Sequence, residues 1–149
     1  MKRKCSMSLR LAGGLTVAAL VAAGWASAAA AQNVDGAALR AAVMAGKDIR
    51  AVLDLSLCTV HGTGASGPAI RGSVHPNAFL LLKDGTVAFS DHHLTVRPDG
   101  KAVREFVKYR VLPDGKVEFQ TVVLDLMSAA VLQTTQYDCA LGKGLSVVW

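Results

Sequence analysis

The sequence predicts a mainly β domain: an antiparallel meander of about seven strands, closed into a small barrel or strongly curled, with one helix at its N-terminal end. Three observations carry that expectation. Gly85, Gly100 and Gly115 close Asp-Gly turns at a fixed spacing of 15 residues. The segments between and beyond them alternate apolar and polar side chains, the period of a half-buried strand. Helical spacing is confined to Asn33–Ala45. An α+β arrangement, an open sheet with the helix over one face, is the alternative.

The first 31 residues are read as a leader. MKRKCSMSLR is cationic, LAGGLTVAALVAAGWASA is apolar, and an A-x-A tail follows, which is the anatomy of a secretory signal peptide. Cleavage after Ala31 leaves Gln32 first, with Ala28 a second option. The apolar stretch is Ala- and Gly-rich and short for a stable span, so no membrane span is expected in the mature chain. Cys5 leaves with the leader. Residues 32–149 then form a single domain with one core. Four of the 16 Lys and Arg lie in the leader and none of the 11 acids does, leaving 12 bases against 11 acids. A net charge near +1 gives no basis for a nucleic-acid partner.

Within the domain, NVDGAALRAAVMA is read as the helix, with Gly46 where a C-terminal cap would sit. IRAVLDLSLCTV follows as a strand. HGTGASGPAIRG contains a literal G-x-G-x-x-G at Gly62, Gly64 and Gly67. That motif holds a pyrophosphate only when a helix follows it. Pro68 comes next and no helical pattern follows, so the segment is read as a flexible loop.

The three reversals KDG, PDG and PDG organise Ala78–Asp125. Pro-Asp-Gly suits a three-residue hairpin loop, a type I turn followed by a left-handed glycine in a bulge. Under that loop length Val111 faces Val117, Tyr109 faces Phe119, Val87 faces Val111 and Phe89 faces Tyr109. Leu81 faces Val87 and Phe79 faces Phe89, while Arg110 and Glu118 meet on the other side. A two-residue loop would oppose Arg110 with Phe119, setting charge against the apolar face. AAVLQTTQYDCA and LSVVW supply two more strands. Cys58 and Cys139, an even pair in an exported chain, are read as one disulfide, since no C-x-x-C motif points to metal or thiol chemistry.

The same register divides the inner face. One end is aliphatic and aromatic; the other gathers Asp91, His93, Glu105, Thr95 and Thr121, with Asp125 opposite Val103. His92 points to the solvated face. Burying such groups costs free energy unless they pair or bind something. Asp91, His93 and Glu105, with Tyr109 on the same face, are therefore the candidate ligand-binding residues. A His93–Glu105 ion pair at an open rim is the structural alternative. His75 would complete a divalent-metal set with Asp91, His93 and Glu105 if its strand persisted through Pro76. No G-x-S-x-G or H-E-x-x-H occurs, so no catalytic residue is assigned.

AVLDLSLC, GPAIRG, FSDHHLTV, EFVKYRVLPDG and QYDCALGKGLSVVW together resemble the VirK family of small exported bacterial proteins. The landmarks are Cys58, Gly67 to Gly72, Phe89 to Asp91, Glu105 to Val111 and Cys139, and they extend over essentially all of residues 32–149. The resemblance implies a periplasmic or secreted protein associated with virulence, and it supplies no reaction and no catalytic residue. The expected function is a non-enzymatic module, without a cofactor, that binds a small ligand or an envelope or host protein. The rival is a metal-dependent or carboxylate-based hydrolase built on Asp91, His93 and Glu105. A third class is an interaction protein using Trp149, Phe106 or a sheet edge.

Overall fold

A computed structural model describes residues 34–149; the leader assigned to residues 1–31 lies outside them. Among the described residues a single α-helix, α1 (Gly36–Met44), precedes nine strands. Asp35 starts the helix, its carboxylate accepting the Ala38 N–H at 2.7 Å, the short-range bond that makes Asp a good N-cap. Gly46, in the left-handed region at φ +66°, ends it as the sequence predicts. Leu39 and Ala42 face inward, and Leu39 is wholly buried.

The strands are β1 (Arg50–Asp54), β2 (Thr59–Val60), β3 (Arg71–Val74), β4 (Leu80–Leu81), β5 (Val87–Val96), β6 (Ala102–Val111), β7 (Lys116–Asp125), β8 (Val131–Leu141) and β9 (Gly144–Val148). Eight of them run in the order β3-β1-β9-β8-β7-β6-β5-β4, with β2 pairing β8 beside that path. The sheet curls into a half-barrel whose concave face carries the core. All pairs are antiparallel except β8 with β9, which run parallel.

The hairpin register follows the turn chemistry. Each loop is closed by a backbone pair across three residues: Leu82 N to Thr86 O at 2.9 Å, Arg97 N to Lys101 O at 2.9 Å, and Leu112 N to Lys116 O at 2.8 Å. The turn aspartates Asp84, Asp99 and Asp114 each accept the N–H two residues on, at 2.9, 3.1 and 3.0 Å. Gly85, Gly100 and Gly115 then take φ of +90°, +82° and +82°, where a side chain would clash with its own backbone. The resulting pairs include Val111 with Val117, Tyr109 with Phe119, Phe89 with Tyr109, Leu81 with Val87 and His93 with Glu105.

Two segments depart from expectation and raise the strand count from about seven to nine. IRAVLDLSLCTV is not one strand: a single 3-10 turn at Leu55–Leu57 breaks it. The Asp54 carboxylate causes the break, accepting from the Ser56 N–H at 3.1 Å and its hydroxyl at 2.5 Å, a local bond that competes with the ladder. The glycine segment is a tethered loop that ends in a strand, since Arg71–Val74 pairs with β1. Gly67 donates its N–H to Cys58 O at 2.9 Å, and Leu55 N donates to Ile70 O at 2.9 Å. A Cβ at Gly67 would fall 2.1 Å from the Leu55 carbonyl oxygen. Gly67 is thus required by backbone approach.

Cys58 and Cys139 form the disulfide, with Cα atoms 4.5 Å apart and a sequence separation of 81. It fastens the 3-10 turn to β8. Gly144 packs directly on it; a Cβ there would come within 2.6 Å of Cys58 Sγ. The core combines Leu39, Ile49, Val87, Val111, Val117, Leu145 and Val147 at one end of the half-barrel. There α1 meets the hairpin tips, with the Gly36 Cβ position 3.0 Å from Leu112 O and the Gly85 position 3.6 Å from Arg40 Nη1. The other end, towards the Arg97–Lys101 turn, carries no such plug among the described residues.

Candidate functional site

Burial along β5 fades from one end to the other. Val87 and Phe89 are buried, Asp91 is half-buried, and His93 and Thr95 are exposed. The same residues share one face of the strand, so the concave side passes from core to opening within a single element. The opening is a cavity of about 840 Å³. Its lining includes Asp91, His93, Thr95, Glu105, Tyr109 and Thr121, so all four candidate ligand-binding residues face the same space.

An aromatic row crosses the sheet, and part of it floors the cavity. Phe79, Phe89, Tyr109, Phe119 and Tyr137 come from successive strands, or from beside them, with ring centroids 5.3, 4.6, 4.8 and 5.9 Å apart along the row. The Phe89 and Tyr109 rings stack nearly parallel, with 13° between their planes. Stacking covers the facing sides of Phe89 and Tyr109, and Tyr109, Phe119 and Tyr137 are the members of the row that line the cavity. Tyr109 is 3 % exposed and Tyr137 9 %. Among the described residues neither hydroxyl has a hydrogen-bond partner, which leaves both to whatever occupies the cavity.

Above that floor, His93 Nε2 lies 3.2 Å from Glu105 Oε2 across the β5–β6 pair. The pair sits at a rim, with the His93 side chain 57 % and the Glu105 side chain 27 % exposed. Asp91 has no cationic partner among the described residues; one of its oxygens accepts the His92 N–H at 2.7 Å. Burial raises the Tyr109 ionisation above its ordinary value of 10.0, and the nearby Asp91 and Glu105 charges raise it further. The phenol is consequently neutral at any physiological pH. At the mouth, Arg97 faces Asp99, its Nε 3.8 Å from the carboxylate.

His75 does not join this group. It pairs with Asp48, just ahead of β1, and is not among the residues lining the cavity, because the chain leaves the sheet at Val74 and Pro76 has no N–H to extend it. Asp125 sits opposite Val103 as expected, but its carboxylate caps the following turn, accepting from the Met127 and Ser128 N–H groups at 3.0 and 2.8 Å. Those bonds, Ser128 foremost, hold its pKa below the ordinary value. Among the described residues no three His, Cys, Asp or Glu side chains are grouped to hold a metal ion. His92 lies on the outer face and stacks on Phe106, centroids 5.5 Å apart. Phe106 and Trp149 are both exposed.

Several lining residues lay beyond the sequence reading. Tyr137 was within reach, since alternation from Cys139 places it inward and opposite Phe119. Leu53, Leu55, Ile70 and Val74, which form the opposite wall, carried no such signal, because their placement depends on β3 folding over against β1.

The comparisons with known proteins agree with one another. The family model described as VirK protein matches residues 33–129. An uncharacterised protein of Sinorhizobium fredii, y4wH, is 38 % identical over 109 residues, covering 72 % of this chain and 75 % of its own. An uncharacterised protein of Rhizobium radiobacter, from the pinF2 3' region, is 33 % identical over 106 residues, covering 70 % and 73 %. The crystal structure of a VirK family protein from Legionella pneumophila superposes with a TM-score of 0.70 at 29 % identity, covering 77 % of this chain and 96 % of that one. Among the described residues no helix is long and apolar enough to cross a membrane. With the matching stretch running from the helix through the whole β5–β7 meander, the chain belongs to the VirK family.

Proposed function

We propose that this protein is an exported, non-enzymatic module that holds a small molecule in its half-barrel cavity and needs no cofactor to do so. The observation that carries the proposal is the cavity itself. At about 840 Å³ it falls within the roughly 300–1,000 Å³ of small-molecule sites. It also joins an apolar floor to a few convergent polar groups: Asp91, His93, Glu105 and the Tyr109 hydroxyl. That is the composition of a site that fixes orientation with few hydrogen bonds and gains affinity from apolar contact. The Cys58–Cys139 disulfide supports an oxidising setting, the periplasm or the exterior.

Amide chemical-shift mapping with a fragment set of amines, alcohols and carboxylates tests the reading. Shifts clustered on β5–β8 around Tyr109, Phe119 and Tyr137 are expected. Absence of any response there at millimolar fragment would sink it. Elemental analysis of protein isolated from the cell envelope addresses catalysis by metal. Stoichiometric zinc, lost in His93→Ala, would replace the binding reading with a hydrolase built on Asp91, His93 and Glu105.

A further inference from the structure

We infer that the cavity selects an organic cation, a protonated primary amine carried on an apolar body. The inference rests on the cavity being a binding site, and it concerns which charge that site prefers. Four charged or chargeable side chains line the space: Asp91, His93, Arg97 and Glu105. Arg97 lies at the mouth, where Asp99 opposes it. His93, when protonated, is matched by Glu105 at 3.2 Å. Asp91 remains without a cation among the described residues, and it stands one inward position closer to the aromatic floor than His93.

A second, independent feature asks for a polar ligand at the same depth. Tyr109 and Tyr137, both at least nine-tenths buried, bring unpartnered hydroxyls to the cavity floor. The field there is negative: after burial itself, the groups that act on the Tyr109 phenol are the Asp91 and Glu105 carboxylates. A neutral phenol and two carboxylates present acceptor oxygens, which a primary ammonium with three N–H donors can satisfy together. The Tyr109 face towards Phe89 is closed by stacking, so a primary ammonium, held by hydrogen bonds and not by an open ring face, suits this floor better than a quaternary one. Leu53, Leu55, Ile70, Val103, Val107 and Val123 line the remaining walls and suit an aliphatic body.

Isothermal titration of the protein from the envelope with hexylamine, hexan-1-ol and hexanoate, three probes of one chain length, provides the test. Hexylamine is expected to bind at least about tenfold tighter than hexan-1-ol, the scale of one charge-assisted hydrogen bond in a partly exposed site. Hexanoate is expected to bind weakest. The preference should collapse in Asp91→Asn and shrink in Glu105→Gln. Glu118→Gln, which removes an acid from the outer face, should leave it intact. Equal binding of hexylamine and hexan-1-ol, or a preference that survives Asp91→Asn, would overturn the cation inference while sparing the binding reading. No binding of any of the three would overturn both.

Discussion

Breaking the Cys58–Cys139 link should cost a large share of the domain's stability. The bridge closes a loop of 81 residues, and the chain-entropy relation assigns such a loop roughly 4–5 kcal/mol of denatured-state restriction. Residual structure in the reduced chain offsets part of that, so roughly 2–5 kcal/mol is the expected loss. A domain of this size has roughly 5–15 kcal/mol in total, so the reduced form should be marginal at body temperature. The Cys58→Ala/Cys139→Ala protein isolates the effect from reductant chemistry, at the added cost of a small void, since both sulfurs are buried. Urea unfolding followed by tyrosine fluorescence is the assay, with the oxidised wild type as reference. The slope should rise as the midpoint falls, because an uncrosslinked denatured chain exposes more surface. A loss below about 1 kcal/mol with an unchanged slope would refute the reasoning. It would mean that the β2–β8 pairing and the backbone bonds of Leu55 and Cys58 to the glycine segment suffice to hold the 3-10 turn in place.

Two further outcomes follow from named positions. Gly67→Ala should destabilise by more than about 2 kcal/mol, because the added methyl meets the Leu55 carbonyl at 2.1 Å and backbone cannot step aside; Gly62→Ala, with open space around it but φ +81°, should cost about 1–2 kcal/mol, and thermal unfolding of the pair ranks them. Tyr109 should resist ionisation: its phenolate absorbance should appear only well above pH 10.0, the ordinary value. Because the folded pKa is raised, its contribution to stability is full below that value and is lost as pH climbs towards the folded one. A phenol that titrates normally in the folded state would contradict its burial.

The meander was legible because three independent turns specify one register. Loop length decides which residues oppose, and only the three-residue choice keeps Phe89, Tyr109 and Phe119 on one face with Arg110 and Glu118 on the other. That single decision also placed His93 against Glu105. The wall made by β1 and β3 was not legible, for a different reason. Arg71–Val74 is four residues long, follows Pro68 and includes Gly72, so its strand state comes from pairing with Ala51–Asp54 rather than from local preference. The 3-10 turn at Leu55–Leu57 likewise depends on one side chain, Asp54, whose bond to Ser56 outweighs an otherwise strand-like apolar pattern. The place of His75 hinged on whether its strand persisted through Pro76; the strand ends at Val74, and His75 pairs with Asp48 instead.

The lateral borders of the sheet, β3 and β4, are four and two residues long, whereas β5, β6, β7 and β8 span ten or eleven. Because β4 pairs only with Val87 and Ala88, the outer edge of β5 from Phe89 to Val96 has no ladder partner among the described residues and offers its free amides to an added strand.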